Sequence, residues 1–167
     1  MRHHPRALFL ACFIAVAGSA SAAGTVTVSF VDASRYSDAG TTRRDEDANL
    51  KSLGNYMESL GERFLRDGQV LKVEVLDVDL AGSTRPSRRG GFDLRVVRGK
   101  GDWPRVSLRY TLEEDGKPMR SGEESVQDMD YTHGLVGYRK SVPLYYEKRM
   151  LDKWFRARFA EGRATAD

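Results

Sequence analysis

Cysteine is almost absent. The one cysteine, Cys12, lies near the N-terminus, so no internal disulfide can form and the fold must rest on apolar burial and hydrogen bonds. Histidine is nearly as scarce: His3 and His4 sit at the start of the chain, and only His133 lies further in. A structural zinc site needs four nitrogen or sulfur ligands, which the chain beyond its N-terminal segment does not possess. The sequence contains no Asn-x-Ser/Thr glycosylation acceptor and no Gly-x-Ser-x-Gly nucleophile elbow. Gly99-Lys-Gly101 lacks the remaining glycines and the following helix of a phosphate loop. There is no internal repeat or low-complexity block, and no composition that implies a cofactor.

Long apolar runs are limited to one, over residues 7–17. Arg2 and Arg6 precede it without any acid, and small residues follow from Gly18 to Gly24. A basic start, a short apolar middle and an Ala-x-Ala exit make a cleavable secretory signal. Ala20-Ser21-Ala22 is the expected cleavage site, giving a signal over residues 1–22 and one domain over 23–167. The run is well short of the ~20 residues that span a bilayer, so no membrane anchor is expected after cleavage. Lipidation at Cys12 is the alternative; it leaves only residues 7–11 as apolar core and is disfavoured. Cleavage takes Arg2 and Arg6 with it and lowers the formal net charge from +3 to +1. Generic attraction to nucleic acid or to a membrane surface is therefore not expected.

The rest of the chain alternates or repeats in short segments. Val26, Val28 and Phe30 point one way in a strand over residues 25–31. Residues 32–47 read as a polar surface loop. Leu50, Leu53, Met57, Leu60 and Phe64 then recur at helical spacing on one face, with Asp45 or Asp47 as the expected cap and Gly68 past the end. Residues 70–80 form the strongest strand. Its apolar parity changes part-way, from Leu71, Val73 and Val75 to Leu76, Val78 and Leu80. That change predicts a bulge or a move between packing environments. Residues 81–91 read as a loop, and residues 92–97 as a strand with Phe92, Leu94 and Val96 inward. Residues 105–113 form a strand with Val106, Leu108, Tyr110 and Leu112 inward. Asp115-Gly116 signals a hairpin turn. The return strand over 117–126 carries Pro118 and Gly122 and reads as an edge. Pro143 is expected to open a last helix with Leu144, Leu151, Trp154, Phe155 and Phe159 on its apolar face. The fold class is α+β: a largely antiparallel sheet of about five strands, with two helices packed on one face and a polar opposite face.

Five segments carry a family resemblance. They are residues 26–32 (Val-Thr-Val-Ser-Phe-Val-Asp), residues 71–82 with Val-Leu-Asp-Val-Asp-Leu-Ala-Gly at 75–82, residues 102–110 (Asp-Trp-Pro-Arg-Val-Ser-Leu-Arg-Tyr), residues 121–131 and residues 146–155. In this order they resemble an uncharacterised bacterial family, domain of unknown function 3016. The resemblance implies an exported, periplasmic protein. It implies no activity, and no site residue is carried over from it.

Candidate sites come from the residues alone. Asp77 and Asp79 are two apart on a strand and project from one face, where two carboxylates can hold a hard cation or act as acid and base. The plainer reading places them on the solvent side or at the turn that follows. Asp128 and Asp130 repeat the spacing in a loop beside Tyr131 and His133, and a surface role is the plainer reading there too. Arg85, Arg88, Arg89, Arg95, Arg98, Lys100, Arg105 and Arg109 crowd one stretch. They make an anion-binding patch, or a solvated face neutralised by Asp93, Asp102 and Glu113. Trp103, Trp154, Tyr145 and Tyr146 are candidates for a sugar- or peptide-binding surface, Trp103 foremost because it sits in a turn. The functional expectation is a non-catalytic periplasmic module binding an envelope protein or an anionic polymer. The alternatives are a small cation-dependent hydrolase using Asp77 and Asp79, and an anion-surface binder using the Arg85 to Arg109 stretch.

Overall fold

The helical spacing of Leu50, Leu53, Met57, Leu60 and Phe64 folds into one buried stripe of a helix, α1 (Arg43–Phe64). The computed structural model describes residues 23–87, 90, 93–133 and 142–160. The signal segment over 1–22, with Cys12, lies outside these residues, as do Arg88, Arg89 and Phe92. Helix α1 starts earlier than expected, because Thr42 rather than Asp45 or Asp47 is its cap. The Thr42 hydroxyl accepts the Asp45 N–H at 3.2 Å, and the Asp45 carboxylate accepts the Thr41 and Thr42 hydroxyls at 2.9 and 2.8 Å. Asp45 thus works three residues inside the helix, closing its first turn.

Strand β1 (Thr25–Phe30) precedes α1, and β2 (Gln69–Asp79) follows it. β1 and β2 pair in parallel, and both β5 (Arg105–Glu114) and β6 (Lys117–Gln127) add antiparallel, in the order β1-β2-β5-β6. The main sheet therefore has four strands and is mixed; its parallel pair follows from strand, helix and strand in sequence, a connection that returns the chain in the same direction. Two further strands, β3 (Ser83–Pro86) and β4 (Asp93–Val96), form a separate antiparallel ribbon. This corrects two expectations. Part of the 81–91 loop is strand, and residues 93–96 do not join the main sheet. Leu94, expected inward, is 48% exposed. The hairpin turn is as expected: Asp115 and Gly116 have φ of 52° and 74°, the left-handed pair that a two-residue hairpin requires.

The parity change in β2 is a bulge. Register runs Val75↔Leu108 and then Asp77↔Ser107, which leaves Leu76 as the extra residue. The bulge turns Val78 and Leu80 back to the face already used by Leu71, Val73 and Val75, and all five are buried in one core. The helix α2 (Tyr145–Phe159) packs on the same face as α1 and brings Met150, Leu151, Trp154, Phe155 and Phe159. Its cap is Leu144, in the left-handed region at φ 55°, so Pro143 lies before the helix rather than at its first position. Gly61 lets α1 approach β1 closely: a Cβ there meets Val26 Cγ2 at 2.7 Å. The opposite sheet face is polar, and Arg109 bridges three strands, reaching Glu74 at 3.1 Å and Glu123 at 3.0 Å.

Candidate functional site

The bulge places both strand aspartates. β1 stops pairing at Val75, and the chain behind it returns to the edge of β2 beyond the bulge. Asp38 N–H donates to the Val78 carbonyl, and Leu80 N–H donates to the Asp38 carbonyl. Asp77 accepts the Ser37 N–H at 2.7 Å and the Ser37 hydroxyl at 2.8 Å. Asp79 faces Arg105 across the ladder and pairs with it at 2.8 Å. Burial pushes the Asp79 carboxyl up; Arg105 opposes the shift, and Asp38 and Asp77 add to it. Both carboxylates thus tie the β1–α1 connection and β5 to the end of β2. Beside them lies a cleft of about 410 Å³ whose lining includes Ser37, Asp38, Glu46 and Asp93. Among the described residues, no group of three His, Cys, Asp or Glu side chains stands together in a metal-holding arrangement.

The arginine stretch is divided by the fold. Arg85 is exposed on β3. Arg95, on β4, pairs with Asp38 at 2.8 Å and reaches the Leu80 and Ala81 carbonyls at 3.5 and 3.4 Å. Arg109 is on β5 of the main sheet, between Glu74 and Glu123. Arg95 and Arg109 therefore stand in different sheets. Trp103 is half-buried in the β4–β5 connection. Its neighbour Asp102 accepts the Tyr131 hydroxyl at 2.6 Å and the Arg98 and Lys100 amides at 2.7 and 3.0 Å. Some desolvation pushes the Asp102 carboxyl up, but these hydrogen bonds outweigh it and hold the group below its ordinary value. Asp128 pairs with Lys153, and Asp130 with the exposed His133. The two Asp-x-Asp pairs thus go to different partners.

A wider groove lies elsewhere, between α1 and the outer side of α2. A groove of about 980 Å³ receives Tyr56 and Arg63 from α1, and Tyr145, Lys148, Asp152 and Arg156 from α2. His133, Val142, Arg149, Lys153 and Ala157 also line it. The lining carries five Lys and Arg side chains and one acid. That acid, Asp152, holds Arg63 and Arg156, both at 2.9 Å. Lys153 is neutralised by Asp128 at 2.8 Å. Lys148 lies 5.8 Å from the centre of the Tyr56 ring, and Arg149 donates to the Tyr131 and His133 carbonyls, both at 3.1 Å. Among the described residues, neither Lys148 nor Arg149 is paired with a carboxylate. The groove combines aromatic walls with an excess of positive charge.

A family model described as a protein of unknown function, DUF3016, matches residues 24–157. The chain belongs to this family. The match runs from just before β1 into the last turn of α2, so every groove residue lies inside the DUF3016 region. No curated protein and no solved structure matches the chain.

Of the aromatic candidates, Tyr145 lines the DUF3016 groove, Tyr146 packs edge-on against Tyr131 at 4.9 Å, and Trp154 is buried. Lys148, Arg149 and Tyr56 are absent from the sequence-based candidates. Tyr145, Arg149, Asp152 and Arg156 follow helical spacing, which is the signal that marks the outer face of α2. Nothing in the sequence says that Tyr56 of α1 stands beside them. Among the described residues, no helix is long and apolar enough to cross a membrane.

Proposed function

We propose that this protein is exported by a signal over residues 1–22 and serves in the periplasm as a non-catalytic module that binds an envelope partner. Export rests on the basic, apolar and small-residue order of the N-terminus. The observation that carries the binding reading is the groove between α1 and α2, which joins Tyr56 and Tyr145 to Lys148 and Arg149. Aromatic side chains supply contact area at low entropic cost, and cations at the rim steer and orient a partner. The engagement of Asp77 by Ser37 and of Asp79 by Arg105 favours a structural role for that pair over a hydrolytic one. Likewise, the ion pairs of Arg95 and Arg109 make the Arg85 to Arg109 stretch the weaker anion surface.

The test is photo-crosslinking in cells from position 145, with position 27 on the far edge strand as control, followed by affinity purification and mass spectrometry. A reproducible envelope partner captured from position 145 supports the reading, and the mass of the same purified chain reports whether it begins at Ala23. Capture of nothing above background from position 145 removes the binding assignment. A chain retained in the cytoplasm with residues 1–22 intact removes the export assignment.

A further inference from the structure

We infer that the groove between α1 and α2 takes an acidic peptide segment bearing apolar side chains, an inference that rests on the binding reading above. The charge argument comes first. The lining is positive beyond what its own acids neutralise: Asp152 is shared by Arg63 and Arg156, while Lys148 and Arg149 have no carboxylate partner among the described residues. An anionic group entering the groove meets these cations on a partly enclosed surface, where pairing is stronger than in open water. The second argument separates peptide from bare polyanion. Tyr56, Tyr145, Val142 and Ala157 line the same groove, and Val142 is 47% exposed. A phosphate or carboxylate polymer leaves those apolar surfaces wet, whereas a peptide alternating acidic and apolar side chains covers them while its carboxylates reach the cations. Arg149 adds geometry: its Nη1 donates to the Tyr131 and His133 carbonyls, which holds the guanidinium in place on the groove wall. Lys148, placed over Tyr56, is the more adaptable cation.

The probe is a fluorescein-labelled peptide, Glu-Leu-Glu-Phe-Glu-Leu-Glu-Phe, titrated with the full-length protein and read by anisotropy. The expected result is saturable binding that weakens roughly tenfold with the Gln-for-Glu peptide, roughly tenfold with Lys148→Glu, and progressively with added salt. Tyr145→Ala is expected to weaken the Glu-Leu-Glu-Phe peptide and to leave any poly-glutamate binding unchanged. Lys148→Gln takes the place of Lys148→Glu if circular dichroism shows that the latter is unfolded. The inference is overturned by any of three results: no binding to the wild type, equal binding of the Gln peptide, or equal affinity for poly-glutamate or phosphatidylglycerol vesicles. A partner crosslinked from position 145 without peptide binding leaves the binding module standing and sinks only this ligand class. Peptide binding with no partner in cells does the reverse.

Discussion

Glu147 Oε1 accepts the amide N–H of Ala81 at 2.8 Å, and this bond ties the first turn of α2 to the point where β2 gives way to the ribbon. Both residues are buried, Glu147 at 3% exposure and Ala81 at 2%. Burial pushes the Glu147 carboxyl above its ordinary 4.5, partly offset by the Ala81 hydrogen bond and by Arg95. The folded state therefore binds this proton more tightly than the unfolded chain. Its contribution to stability is fully present below pH 4.5 and is lost as pH rises through the raised folded value. Glu147→Gln keeps an acceptor for Ala81 and removes the ionisation, so it is expected to raise the neutral-pH Tm and to flatten this pH dependence. Glu147→Ala leaves the Ala81 N–H without a partner and is expected to cost about 1–3 kcal/mol. Urea melts of both variants across pH check the pair; a Gln variant less stable than wild type at neutral pH contradicts the assignment.

The Tyr131–Asp102 bond gives the opposite sign. The Tyr131 ring is 1% exposed, and its hydroxyl also accepts the Gly99 N–H at 3.1 Å, so the phenol pins the β4–β5 connection to the loop before α2. Asp102 is held below its ordinary 3.8. Its contribution is present above that value and is lost as pH falls through the depressed folded one. Tyr131→Phe is expected to destabilise the protein by about 1–3 kcal/mol near neutral pH and by less in acid, where the wild type has lost the same bond. A loss that does not shrink on acidification argues that the ring, not the hydroxyl, carries the effect.

Gly61→Ala sets two magnitudes against each other. Alanine is about 1 kcal/mol better than glycine inside a helix. Here its Cβ meets Val26 Cγ2 at 2.7 Å and the Val26 amide nitrogen at 3.2 Å, so α1 must move off β1. Overpacking of this kind costs about 1–3 kcal/mol, and the net expectation is a lower Tm. A Tm that rises means α1 can withdraw from β1 without loss.

The elements legible in the sequence are those whose apolar residues repeat. The α1 stripe, the inward set of β5 and the Asp115-Gly116 turn all follow from local spacing. The ribbon does so only in β4, because Ser83, Thr84, Arg85 and Pro86 of β3 carry no apolar alternation. Its attachment comes from distant groups, the Arg95 bonds to the Leu80 and Ala81 carbonyls and the Gly82 N–H to the Asp102 carbonyl. Glu147 stands three residues before Met150 and four before Leu151, so helical spacing puts it inside. Only the fold reveals that Ala81 waits there for it. The groove is similar: Tyr145, Lys148, Arg149, Asp152 and Arg156 are marked by spacing on α2, while Tyr56 and Arg63 are brought to them by the packing of α1.

The β2 bulge makes the sharpest prediction. Register is Val75↔Leu108 before it and Asp77↔Ser107 after it, so Leu76 is the one residue without a place in the ladder. Deleting Leu76 gives a regular strand with Leu71, Val73, Val75, Val78 and Leu80 still on one face. The cost is the half-buried Leu76 side chain and the local bend that lets Tyr36 donate to the Val75 carbonyl at 2.8 Å. Deleting Glu74 together with Leu76 removes one residue more than the bulge can absorb, and it turns Leu71 and Val73 to the polar face while Val75, Val78 and Leu80 stay inside. Both are buried at 0% and 1% exposure, and exposing each costs about 1.5–3 kcal/mol. The Leu76 deletion is therefore expected to fold with a reduced Tm, and the combined deletion to lose its cooperative transition. Thermal melts by circular dichroism compare them directly, and equal damage from the two deletions means that the apolar parity of β2 is not what fixes its register.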